Sequence, residues 1–157
     1  MLAAQDTGTP LIALSRAPWQ AVPGDDWRFV PDIPAAVAAL DGPARRIFLA
    51  LGRMHLAAVA AQPQHHYILR LVDPPVDAPP LPHHTVIVAR GPFDPAGDRA
   101  LLKAHRADLV VAKNAGGTGA AAKLAAARGL GLPVLMIDRP PLPPRPEVQT
   151  VAQVIDW

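Results

Sequence analysis

The sequence predicts an α/β protein: a Rossmann-like parallel sheet flanked by helices. Three observations lead there. Short apolar runs alternate with segments of helix-forming composition, the pattern of a parallel sheet with crossover helices. Two proline clusters, Pro74–Pro82 and Pro140–Pro146, each follow an apolar run and read as connectors, because proline cannot donate to a central ladder. A glycine-rich turn, Lys113–Thr118, joins an apolar strand to an Ala-rich segment, which is where parallel sheets receive ligands.

Taken in order, Leu11–Leu14 reads as a short buried strand. Pro34–Leu40 follows as a helix, with Pro34 acceptable in its first turn. Ile47–Leu51 is a strand closed by Gly52, and Leu56–Ala61 has helical composition. Tyr67–Val72 is a strand stopped by Asp73-Pro74-Pro75, and Thr85–Ala89 is another. Asp94-Pro95 supplies an N-cap acceptor and a proline at the first helical position, starting a helix that runs to about His105. Leu109–Ala112 is a strand, Thr118–Arg128 a helix stopped by Gly129 or Gly131, Val134–Ile137 a strand and Thr150–Asp156 a terminal helix. Pro18–Pro31, with Trp19, Trp27 and Phe29, is either a hydrophobic surface or a satellite core. No internal repeat of fixed period is present.

At 157 residues the chain suits one domain, covering 1–157. Half of it is hydrophobic and 18% is charged, a globular composition. A formal charge of +2, without blocks of like charge, gives no footprint for nucleic acid. The absence of cysteine excludes disulfides, thiolate metal sites and a cysteine nucleophile. No apolar run approaches the roughly 20 residues of a membrane helix, and the amino terminus lacks a secretion signal, so the expected location is cytoplasmic.

The Lys113–Thr118 turn has two readings. Its glycines can let backbone approach a ligand, with free N–H groups and Lys113 favouring an anion, or they can simply satisfy a strand-to-helix turn. Gly117–Ala122 also matches a G-x-G-x-x-G/A fingerprint, with Asp138 about 20 residues on; Ala/Gly-rich sequence produces such matches by chance. Arg53 and Arg90 both follow strands at the edge where ligands bind, and their guanidinium forks suit carboxylates or phosphates. The pairs His65-His66 and His83-His84 would point to opposite strand faces, so no metal site is expected. Ser15 is the only serine and no nucleophile elbow exists, which disfavours a serine hydrolase. Pro140–Arg145 contains a P-x-x-P-x-R pattern that reads either as a stiff connector or as an SH3-type ligand.

Four blocks resemble the carboxyl-terminal half of the precorrin-6A reductase family of corrin-ring synthesis. They are Ala50-Leu51-Gly52-Arg53; Leu69 through Pro75; Arg90-Gly91-Pro92-Phe93; and Lys113 through Pro141, with Lys123 six residues after the second glycine. Gly8–Ile12 and Arg16–Trp19 are similar to the family's domain crossover. The resemblance implies hydride transfer from NADPH to precorrin-6A, giving precorrin-6B in cobalamin (vitamin B12) synthesis. It implies cofactor contacts at Lys113, Asn114, Ala115, Gly116, Gly117 and Thr118, and anchoring of substrate carboxylates by Arg53, Arg90 and Lys123. It also implies a Rossmann-like amino-terminal half as partner, with residues 1–18 as the crossover from it. Ala115 replaces the family's usual serine, and Asp138 stands where arginine is common; the latter leaves NADPH and NADH both open. No catalytic proton donor is singled out. An inactive nucleotide- or tetrapyrrole-binding fragment and a cobalt-precorrin-6A reductase are the alternatives.

Overall fold

Residues 2–157 are described by the structure, a computed structural model. Its core is a six-stranded, entirely parallel sheet. The strands are β2 (Trp27–Val30), β3 (Arg46–Ala50), β4 (His66–Leu71), β5 (His84–Val88), β6 (Leu109–Lys113) and β7 (Val134–Ile137). They lie in the order β2-β7-β6-β3-β4-β5. A separate two-stranded parallel ribbon pairs β1 (Ala13–Leu14) with β8 (Glu147–Val148). The helices are α1 (Leu2–Asp6), α2 (Ile33–Ala39), α3 (Leu56–Val59), α4 (Pro95–Ala104), α5 (Ala122–Leu130) and α6 (Val151–Ile155), and a 3-10 turn spans Arg53–His55.

Strand alternation sorts the apolar residues onto two faces. Ile47, Leu49, Tyr67, Leu69, Val111 and Leu135 pack with Ala36 and Leu40 near α2 and with Leu56 and Val59 of α3. Phe48, Ile68, Val110, Ala112, Val134 and Met136 pack on the opposite face against Leu102 of α4 and Leu124, Ala126 and Ala127 of α5. Both faces are covered, so the central strands read as continuous apolar runs.

Local chemistry fixes the helix ends. Asp32 caps α2 by accepting from the Ala35 N–H at 2.8 Å. Asp94 caps α4 by accepting from the N–H groups of Ala96 and Gly97, just as the Asp94-Pro95 pair predicts. Gly131, at φ 64°, takes the left-handed conformation that closes α5. Thr150 and Gln153 form a reciprocal capping box on α6.

Two expectations are corrected and one open segment is placed. Leu11–Leu14 is not a buried strand: only Ala13–Leu14 pairs, in the outlying ribbon, and Leu14 is exposed. The helix expected from Thr118 starts at Ala122, because residues 118–121 form a turn closed by the Ala121 N–H donating to the Thr118 carbonyl. The undecided Pro18–Pro31 segment contains an edge strand, β2, whose partner is β7. Trp19 and Trp27 pack against the core while Phe29 stays on the surface.

From β3 the chain adds β4 and β5 on one side, then crosses back to place β6 and β7 on the other. Helix α3, following β3, and helix α5, following β6, lie on opposite faces. The carboxyl ends of β3 and β6 therefore flank a topological switch point, the crevice where open α/β sheets bind ligands.

Candidate functional site

A row of polar side chains runs along this carboxyl edge in strand order. After β5, Arg90 forms an ion pair with the carboxylate of Asp73, which follows β4. Arg53, after β3, donates from Nη2 to the Asp73 carbonyl at 3.4 Å. Two residues on, His55 Nε2 meets the Lys113 Nζ at the end of β6, 2.5 Å away. Lys113 and Arg53 thus converge on the switch point from its two sides. Three permanent or near-permanent cations stand against one carboxylate here, which suits a ligand rich in carboxylate or phosphate.

Beside the row lies a cavity of about 260 Å³ lined by Arg53, Leu56, Leu71 and the proline-rich 75–80 loop. Val76 of its lining is 95% exposed, and Met54, next to Arg53 in the chain, is 83% exposed. A cavity of this kind, apolar with a few charged groups, fits the edge of a large amphiphilic ring.

His55 was not legible as a site residue. Burial, and then the neighbouring Lys113 charge, push its imidazole below the ordinary histidine value. The neutral ring can accept a hydrogen bond from the lysine ammonium, so Nδ1 carries the ring proton. The signal that could have found it is its place two residues beyond Gly52-Arg53, at a strand end.

The Lys-Asn-Ala-Gly-Gly turn is built mainly against its own chain. Asn114 is buried, accepts from the Trp19 N–H at 2.7 Å and donates to the Trp19 carbonyl at 3.1 Å. Trp19 Nε1 donates to the Gly117 carbonyl at 2.7 Å. Arg139 donates to the carbonyls of Asn114, Arg16 and Ala115. Gly116 and Gly117, at φ 69° and 73°, are required twice over: a Cβ on Gly116 would strike the Ala17 carbonyl oxygen and the Arg139 guanidinium, and one on Gly117 would strike Arg16.

The glycines therefore admit residues 16–19, and they do not form an open dinucleotide cradle. What remains for a ligand is exposed Lys113, Ala115 and Thr118, together with the N–H groups of Thr118, Gly119 and Ala120, which have no protein acceptor among the described residues. These groups fit one phosphate or carboxylate. Asp138, at the end of β7 beside this turn, donates its N–H to the Val30 carbonyl on the other neighbouring strand.

Lys123 is folded under the turn. It is 6% exposed, donates to the Ala120 carbonyl at 2.5 Å, and lies 5.0 Å from the Trp19 ring centre. Burial pushes its ammonium down to about 8, helped by Arg70 and opposed by Asp98. The resemblance grouped Lys123 with Arg53 and Arg90; the structure buries it against Trp19, near Arg70 and Asp98. Arg70 and Asp98 form a buried ion pair next to it, with the Arg70 guanidinium 3.7 Å from the Phe93 ring centre. The cluster braces the β4, α4 and α5 ends from inside.

No group of three or more His, Asp or Glu suited to a metal occurs among the described residues. No helix among them is long and apolar enough to cross a membrane. Arg145 of the P-x-x-P-x-R strip forms an ion pair with Glu147 at 2.6 Å, tying the connector to β8.

Fold and site together define a Rossmann-like α/β domain with an anion-receptive crevice at its switch point. A model of the family described as "Precorrin-6x reductase CbiJ/CobK" matches residues 1–157, and the chain belongs to that family. It is 54% identical over 155 residues to the precorrin-6A reductase of Rhodobacter capsulatus, covering 99% of this chain and 62% of that protein. It is 46% identical over 156 residues to the precorrin-6A reductase of Rhodococcus erythropolis, again covering 99% and 62%. A solved structure, "CobK precorrin-6A reductase", matches with TM-score 0.95 at 54% identity, over 99% of this chain and 64% of that one. The chain thus spans less than two thirds of these relatives' length.

Proposed function

We propose that this chain forms one wall of the active site of a precorrin-6A reductase, an oxidoreductase that takes hydride from NADPH. The observation that carries the reading is the linked row Arg90–Asp73–Arg53 and His55–Lys113 along the switch-point edge of a chain belonging to this family. NADPH, when bound, supplies the hydride. The protein's own part is to orient the ring and keep water from the reacting carbon.

Arg53 and Arg90 anchor carboxylates of the tetrapyrrole, and the exposed Met54 and Val76 receive the edge of its ring. Both arginines are already oriented by Asp73, so less side-chain freedom is lost when the ligand arrives. The N–H groups of residues 118–120 take one further anionic group, from the cofactor or the substrate. Residues that the longer relatives carry beyond the span matched here close the cleft from the other side.

The test joins this chain to the amino-terminal part of its longer relatives and measures NADPH consumption with precorrin-6A. Oxidation that depends on the tetrapyrrole supports the reading. Consumption that fails to appear in a folded protein with bound substrate overturns it.

A further inference from the structure

Reducing one conjugated double bond of the macrocycle takes a hydride and a proton. The hydride comes from NADPH under the function proposed above, on which this inference rests. Of the groups this chain places at the crevice, few can release that proton. Arginine does not release its proton, which removes Arg53 and Arg90. The Asp73 carboxylate is held by Arg90, and Asn114 has no proton to give. Lys123 lies beneath the turn, donating to the Ala120 carbonyl, and Asp138 belongs to β7, one strand beyond β6 from the switch point.

Lys113 remains. Its side chain is exposed at the switch point, and its Nζ meets an imidazole, where an ordinary surface lysine would meet a carboxylate or water. A neutral imidazole orients the ammonium through one hydrogen bond without cancelling its charge, and leaves its other N–H bonds free to face a ligand. The two groups come from opposite sides of the switch point, β6 and the turn after β3, so the pair exists only in the folded sheet.

We propose that Lys113 is the proton donor of the reduction and that His55 positions it. As the hydride's electron pair forms the new C–H bond at one ring atom, the displaced π pair takes a proton from Lys113 Nζ at the other end of the reduced bond. The N–H bond breaks and its pair stays on the lysine nitrogen. The amine, still donating a remaining N–H to His55 Nε2, then takes a proton from water. Charge and electrons balance: one hydride and one proton enter the macrocycle, and the pair ends as it began.

The experiment uses the joined protein of the preceding section with three variants, Lys113→Met, Lys113→Arg and His55→Gln. Lys113→Met should lower kcat by about 100-fold or more while the KM for precorrin-6A stays within about threefold. Lys113→Arg keeps the positive charge but not a releasable proton, so it should be equally slow. His55→Gln should lower kcat by about tenfold without changing the KM. Added ethylamine should restore part of the Lys113→Met rate and none of the His55→Gln rate. Full activity in Lys113→Arg, or a raised KM with unchanged kcat in Lys113→Met, makes Lys113 an anion anchor and overturns the proposal.

A second readout needs no turnover. In this chain alone, the His55 ring followed by NMR should titrate at higher pH in Lys113→Met than in the unsubstituted chain, because the neighbouring cation is gone. An unmoved His55 titration means the pair does not form and overturns the proposal whatever the kinetics. No NADPH consumption by the unsubstituted joined protein, with the His55 response intact, overturns the reductase reading and not the pairing.

Discussion

Asn114 and Trp19 are joined through both ends of one amide: Oδ1 accepts from the Trp19 N–H and Nδ2 donates to the Trp19 carbonyl. The residues are 95 positions apart, and the contact binds the segment before β2 to the turn after β6. A side chain that the sequence offers as a ligand contact is thereby committed to holding the segment before β2 in place.

Asn114→Ala should consequently cost about 2–4 kcal/mol, since it strands a buried N–H and a buried carbonyl together. Urea unfolding measures this, and a loss below about 0.5 kcal/mol would show that water replaces the amide at no cost.

Gly116→Ala and Gly119→Ala form a contrast on one turn. Gly116 combines positive φ with backbone in the path of a Cβ, whereas a Cβ on Gly119 meets nothing within 4 Å. The first should destabilise by more than about 2 kcal/mol and the second by less than about 0.5. Equal losses in thermal unfolding would mean that residues 16–19 do not pack against the turn in solution.

The buried Arg70–Asp98 pair predicts a non-additive result. Asp98→Leu or Arg70→Met alone should cost about 3–5 kcal/mol, because each leaves an uncompensated charge between Phe48 and Phe93 or at the α4 start. The double variant should cost less than either single one. A double-mutant cycle that sums additively would show the charges are uncoupled.

Lys123 gives a pH dependence of known sign. Its folded-state value of about 8 lies below the ordinary 10.5, so the unfolded chain holds this proton more tightly. The penalty is complete below pH 8 and fades as pH rises toward 10.5, so stability increases across that window. Lys123→Met should raise stability at neutral pH by up to about 3 kcal/mol and remove that increase. Tyr67, pushed up to about 12 by burial, acts oppositely above its ordinary 10.0, and both proteins share that loss. A wild-type-minus-variant difference that stays constant from pH 8 to 10.5 would place the Lys123 ammonium in water.

The exposed Arg90–Asp73 pair separates binding from stability. Arg90→Ala should change unfolding by no more than about 1 kcal/mol, both side chains being more than half exposed. In the joined reductase it should raise the KM for precorrin-6A by about tenfold with kcat little changed. An unchanged KM would remove Arg90 from the substrate surface.

What was legible in the sequence follows from local physics. Buried parallel strands must be apolar throughout, so β3, β4, β6 and β7 declare themselves. Capping needs a particular side chain at a particular place, so Asp94-Pro95 marked the start of α4 within a residue. The strand β2 was harder to see: as an edge strand with only its last residue buried, Trp27–Val30 shows neither an apolar run nor an alternation. Helix α5 began later than its Ala-rich composition suggests, because the turn before it is held by Trp19 and Arg139 from elsewhere in the chain.

By itself, then, the sequence determined the fold class, the family and the strand-end cations Arg53, Arg90 and Lys113, because each depends on residues near one another in the chain. Only the tertiary structure decided what those residues do for one another. It committed Asn114 and the glycines to residues 16–19, folded Lys123 beneath the turn, and set His55 against Lys113. The physical reason is the crossover at the switch point: β3 and β6 are neighbours in the sheet although some 60 residues of chain separate them, so contacts between their ends have no local signature.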